Sequence, residues 1–524
     1  MAYLDPYTGP WTTKEAAHLA RRAGFGATPA ELATMVSAGM SGAVDARVNY
    51  SPTDTTLDAQ ITALPATTDN NQIKAPIQSA HLEGWWIYRM VHSTQPLQQQ
   101  FALFMHDTLC SEYGKVSNNV SNASDDGNDG SQAGQACLVS SGGLAPDIDR
   151  QRKIILRLLK DQNTIFTTQG HLGYVNLLKT ITRDPAMLIY LDNRLNIKGK
   201  AQENYAREVM ELFSMGVGNY TETDVREIAR AFTGETVRTS CSLNWPYDYS
   251  YDATKHDTNS KTVFGVTFNN AAAGADTNQV IDLIANTISN SGITPAHQVL
   301  PATSIHMSWK FITWFVSESI PISHDAVVEL ATFFYNNTSP NGYPYDVRET
   351  LRKLFKSQFF YDNAYYYRMY KHPPDYMVSA LRNLGIDDTN YTGSAYSRLR
   401  SMGMRLFQPP NVAGWNHGRA WINSGNLVAR FNYADRISTS TFMTDAYVDN
   451  LITSGAVTNT NDNTGILNYL SQRLLQDSLT VAETAPFTTF FNGITTGTAT
   501  QSQYRRKVRG AAHLMMTMPR YQLK

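Results

Sequence analysis

The stretch ENYAREVMELFSMGVGNYTETDVREIARAFTG, Glu203 to Gly234, decides the fold. Its apolar residues Val209, Met210, Leu212 and Phe213 recur at helical spacing, which predicts a helix over Glu203–Met215 ended by Gly216 and Gly218. Thr221 caps a second helix with acidic Asp224 in its first turn, and Gly234 follows Thr233 at its end. Upstream, Ile154, Ile155, Leu156, Leu158 and Leu159 form a dense apolar run, and Asp184-Pro185-Ala186 caps a short helix. At the start of the chain, Thr12–Glu15 and Thr28–Glu31 are capping boxes, the second with proline at the first helical position.

These signals predict a mainly α protein, a large multi-helical body with irregular surface insertions and few short strands. The expected parts are an N-terminal helical hairpin in 1–50, a polar linker at about 50–75 and a helical core in 76–234. That core carries a polar insertion at about 110–150. An irregular or short-strand excursion follows at 235–275, with strand-like runs at Tyr247–Tyr251 and Thr262–Phe268, and then a C-terminal helical part in 276–524. Strand does not alternate with helix, which argues against a doubly wound sheet.

Composition narrows the function classes. A net charge of -1 leaves no excess of cations for a phosphate backbone, so no nucleic-acid partner is expected. No run reaches the roughly 18 apolar residues of a membrane span. Charged residues are only 17%, with Asn, Thr, Ser and Tyr abundant, a balance that leans toward a periplasmic or secreted protein. Residues Met1–Pro6 do not read as a secretory signal, lacking a basic region before an apolar one. Cys110 and Cys137 flank the polar insertion and are expected to pair if the protein matures in an oxidising compartment, the alternative being buried thiols.

Motifs for named chemistries are missing: no GxSxG, HExxH, GxxxxGK[ST], GxGxxG or CxxCH occurs. Asp125–Gly130 echoes a calcium loop without its closing glutamate. The candidate catalytic set is therefore assembled from types. Glu208 and Glu211 are three apart on one helix and share a face. Read as lying on a buried helix, they need partners: Arg207, Arg226 or Arg230 in a structural solution, histidines in a functional one. His106 beside Asp107, and His256 beside Asp257, are expected to supply proton transfer or complete a His/carboxylate metal site, the alternative being local caps. The metal and the cofactor, if any, stay unassigned. Trp415 and Trp421 fit either sugar stacking or a packed loop.

Several separated motifs carry a family resemblance. They are His18–Gly26, Asp184–Met187, Tyr190–Asn193, Glu203–Phe213, Asp224–Glu227, Ala231–Gly234, His256-Asp257, His372-Pro373, Phe407–Trp415 and Pro519–Leu523. In this order, over roughly the whole chain, the sequence resembles the bacterial domain-of-unknown-function 1800 family, and so a single family-length unit over 1–524. One departure stands out. Phe104-Met105-His106-Asp107-Thr108-Leu109 occupies the place of the family's Trp-His-Asn-His-Phe, keeping only the first histidine. The resemblance implies an exported bacterial protein beside a sulfatase-like partner of the domain-of-unknown-function 1501 family. Three functions follow as expectations: a hydrolase acting on polysaccharide or a related envelope substrate, a non-catalytic binding or assembly partner, or a metal-dependent redox protein.

Overall fold

In a computed structural model, the described residues are 2–109, 111–121, 148–168, 173–238, 247–269, 272–288, 299–337, 344–388 and 390–524. They are mainly α-helical, with two small two-stranded antiparallel sheets. The capping signals act as the sequence predicts: Thr12, Thr28 and Thr221 each accept from their first helical turn, and Glu15, Glu31 and Asp224 return the bond. The strands are Glu235–Arg238 with Asp248–Tyr251, and Lys261–Val263 with Val266–Phe268.

Three local expectations change. The span read as a linker holds helices Thr55–Ala63 and Thr68–Lys74, because Asp54 and Thr67 cap them and Leu57, Ile61 and Ile73 supply buried faces. The N-terminal hairpin is followed at once by a third helix, Gly39–Val48. The polar insertion begins in a helix, Tyr113–Ser121. Cys110, Cys137 and Asp125–Gly130 lie outside the described residues.

One contiguous apolar core runs from Leu4 to Tyr521. Aromatic rings fix the elements that matter for function. Phe104, on the helix Pro96–Thr108, packs 5.5 Å from Phe311 and 5.3 Å from Trp314, both on the helix Ala302–Phe315. Phe104 is 2% exposed, and truncating such a ring costs about 3–5 kcal/mol. The helix Pro373–Leu384 joins this pair through Asp375, which accepts from Gln100 of the first helix. Its Tyr376 hydroxyl bonds the carbonyls of Arg430 and Met516, tying in two later helices.

Candidate metal centre

The last turn of Pro96–Thr108 delivers Asp107 and Thr108 to a cavity of about 290 Å³. The helix Ala302–Phe315 contributes Trp309, Lys310, Thr313 and Trp314, and Glu318 follows it in the next loop. His372 sits at the N-cap of Pro373–Leu384, where proline at the first helical position sacrifices no hydrogen bond. His417 sits at the N-cap of a 3₁₀ turn, Gly418–Ile422.

Glu318, His372 and His417 each offer one ligand atom, and these atoms all lie within 4.8 Å of one another. His372 is 2% exposed; its side chain faces the Asp375 backbone N–H in a capping-box arrangement, but neither ring nitrogen makes a hydrogen bond of full geometry among the described residues. Its Nε2 lies 3.8 Å from Glu318 Oε1, too far for a hydrogen bond, and that oxygen is also buried and unpartnered. Buried polar atoms are normally paired, so orphans facing each other need an explanation. A cation between them supplies one.

For His372 and Glu318 the protonation states suit a cation. Burial, then the positive charge of Lys524, pushes the His372 pKa down and keeps a nitrogen lone pair free. Burial pushes Glu318 up, but His372 and the Gly418 N–H outweigh it and hold the carboxyl below its usual range. Neutral imidazole and ionised carboxylate are the forms a divalent ion binds.

His417 is held from behind. Its Nε2 lies 3.1 Å from Asp107 Oδ2, and its side chain is 44% exposed. Burial lowers its pKa, but the hydrogen bond and charge of Asp107 win and raise it. Asp107 Oδ1 in turn accepts the Trp415 N–H at 2.8 Å. This explains Gly414: its φ is +85°, and a Cβ there would collide with the Asp107 carbonyl and carboxylate. Gly418, at φ +61°, lets the backbone approach Glu318 in the same way.

The carboxylates and histidines singled out from sequence lie elsewhere, except Asp107. Glu208 and Glu211 are half-buried rather than buried, because the helix Glu203–Glu211 is amphipathic and only Tyr205, Ala206, Val209 and Met210 are covered. Burial, then the charge of Glu211, raises the Glu208 pKa. Glu211 accepts from Tyr220. The arginines expected to pair with them bind other groups: Arg207 pairs with Glu222 and Glu203, and Arg230 with Glu227 and Asp257. Among the described residues, no hydrogen bond or ion pair joins Glu208 or Glu211 to His106 or His256.

His106 is buried against Trp86, Phe407 and Trp415, and its Nε2 accepts the Phe407 N–H at 3.1 Å. That bond places its proton on Nδ1 and steadies Phe407, whose φ is +61°. Burial pushes its pKa down to about 3. His256 lies 3.3 Å from Asp276 and is bonded to the Thr233 carbonyl, while Asp257 pairs with Arg230 at 2.8 Å. Trp415 and Trp421 are packed in the loop, 6% and 4% exposed.

The family described as protein of unknown function (DUF1800) matches residues 18–129 and 148–523. The chain belongs to this family. No curated protein and no solved structure matches it. All three candidate ligands lie inside the matched region, and His372 and the Phe407–Trp415 run are among the family-like motifs of the sequence. Thr108, in the segment where the sequence departs from the family-like pattern, lines the cavity. Sequence reasoning missed Glu318, which stands in no motif. The signal for the histidines was available: each opens a helical turn within a family-like segment or directly beyond one.

Proposed function

We propose that the protein is a metal-dependent hydrolase, with Glu318, His372 and His417 holding one divalent transition-metal ion at the floor of the cavity. The observation that carries this reading is the mutual approach of the three donors together with the unpartnered, buried nitrogens of His372. Two histidines and a glutamate with open remaining positions is the ligand set of hydrolytic zinc sites. There the ion lowers the pKa of a bound water to about 7 and polarises the bond it attacks. The substrate we infer is an acylated polysaccharide: water adds to the acyl carbon, and the sugar oxygen or nitrogen leaves with a proton. Among the lining rings, half-buried Trp309 offers a face to a sugar while Trp314 and Phe104 are buried, and Thr313 and Lys310 give the cavity polar groups. The charge-poor, Asn- and Thr-rich composition supports work outside the cytoplasm, beside the sulfatase-like partner that the resemblance implies.

The same ligand set also favours a second reading, redox use of ferrous iron, which binds through two histidines and one carboxylate. The test separates them. Protein purified without chelator is assayed with and without oxygen, for acetate release from acetylated polysaccharides and for their oxidation. Release that depends on added zinc and on His372 is the expected result. Turnover only with iron and oxygen favours the second reading, and no metal dependence of any kind rejects both.

A further inference from the structure

Behind His372, away from the cavity, stands a carboxylate that the ligand set leaves out. Asp375 is 2% exposed and lies in the first turn of the helix that His372 caps. Three groups pin it. Its Oδ2 accepts the His372 backbone N–H at 3.1 Å and the Lys524 ammonium at 2.5 Å, and its Oδ1 accepts from Gln100 at 3.3 Å. The same Oδ2 lies 3.6 Å from His372 Nδ1. The imidazole thus has a carboxylate at each end, Asp375 at Nδ1 and Glu318 at Nε2, and it hydrogen-bonds neither.

A neutral imidazole carries one N–H, so it can satisfy only one of the two. A proton on Nε2 would point at Glu318 and block a cation. A proton on Nδ1 leaves the Nε2 lone pair facing Glu318 across the site. We propose that Asp375, anchored by Lys524, is the positioning residue of His372: it accepts the Nδ1–H when a cation is bound and so fixes Nε2 as the metal-binding nitrogen. The proposal rests on the metal reading above.

The surroundings suit an acceptor that stays ionised. Lys524 is 1% exposed and sits 5.9 Å from the Trp314 ring centre, and the charge of buried Arg22 reaches both Asp375 and Lys524. A buried carboxylate is tolerated when it is paired and hydrogen-bonded, and Asp375 is both. A closure of well under an ångström separates the 3.6 Å contact from a hydrogen bond, and binding sites commonly tighten such contacts on loading. Metal-bound histidines usually donate their second N–H to a carboxylate, and loss of that partner typically weakens metal binding about 10–100-fold.

The experiment uses cobalt(II) as the probe, in the full chain, with wild type beside Asp375→Asn and Lys524→Met. Wild type is expected to take up cobalt with visible absorption bands. Asp375→Asn should bind it about 10–100-fold more weakly, with shifted bands and an unchanged far-ultraviolet circular dichroism spectrum. Lys524→Met should move affinity in the same direction by less. Nitrogen-15 shifts of His372 in zinc-loaded wild type give a second readout that needs no variant: Nδ1 protonated, Nε2 metal-bound. Wild-type affinity and bands in a folded Asp375→Asn protein, or a zinc-bound Nδ1, overturn the positioning role and leave the metal site standing. A wild-type chain that takes up no cobalt overturns both.

Discussion

Two buried histidines meet carboxylates in this protein, and they differ in what is left over. In the region of the small sheets, Asp276 lies 3.3 Å from His256 Nε2 and 2.7 Å from the Lys261 ammonium, while His256 Nδ1 bonds the Thr233 carbonyl at 2.8 Å. There both ring nitrogens and the carboxylate have a partner or an oppositely charged neighbour within 3.3 Å. At the cavity, among the described residues, His372 and Glu318 face each other with no hydrogen bond made by either ring nitrogen or accepted by Oε1. A saturated polar network serves folding, because each member removes the desolvation cost of another. An unsaturated, converging one costs stability and makes sense only if something else is bound.

Substitutions can break this contrast, beginning with the largest expected effect. Lys261→Met removes the ammonium paired with buried Asp276 and should cost about 3–5 kcal/mol in denaturant unfolding, with metal content of the surviving folded protein unchanged; a loss below about 1 kcal/mol would mean that the network is not what holds this region. Gly414→Ala forces a side chain into a left-handed backbone and against Asp107. It should cost about 1–3 kcal/mol and also weaken metal uptake, since Asp107 holds His417; thermal melts and metal titration on the same sample check the pairing of effects.

Acid titration sharpens the contrast further. Burial raises the Asp257 pKa, but the Arg230 hydrogen bond and charge outweigh it and set it below its usual value. A depressed folded pKa contributes stability above the unfolded value, about 3.9 for aspartate, and loses it as pH falls through the folded one. Stability measured across that acid window should therefore fall less steeply in Arg230→Met than in wild type. Parallel slopes would show that the pair contributes nothing. The smallest effect belongs to Glu208→Gln. On a half-buried face bonded to no histidine, it should change stability by no more than about 0.5 kcal/mol and leave metal content intact; loss of metal or of activity would return Glu208 to the site.

The helices were legible where the chain states its own boundaries. Thr12, Thr28 and Thr221 announce capping boxes that form, and the glycines at 216, 218 and 234 all take positive φ as helix or turn ends. The helices at Thr55–Ala63 and Thr68–Lys74 were hidden by polar composition, although Asp54 and Thr67 stood at their starts. The site was legible only in fragments. His372 and the run leading to His417 could be quoted as motifs, but their chemistry depends on Glu318, which three-dimensional packing supplies from another segment. Glu208 and Glu211 looked more chemical because two carboxylates share one helix face. Sequence spacing along a helix is readable, whereas convergence of loops from separate helices is not. Asp107 bridges the two cases: chosen as the neighbour of His106, it works instead through His417.

The most direct test is the metal content of the protein itself. Wild type purified without chelator and loaded with zinc should carry about one ion per chain by elemental mass spectrometry, as a single His₂Glu site holds. Glu318→Ala, His372→Ala and His417→Ala should each lose it with unchanged circular dichroism, while Glu208→Gln keeps it. Zinc retained in all three alanine variants, or never bound by wild type, would contradict a cation site at Glu318, His372 and His417.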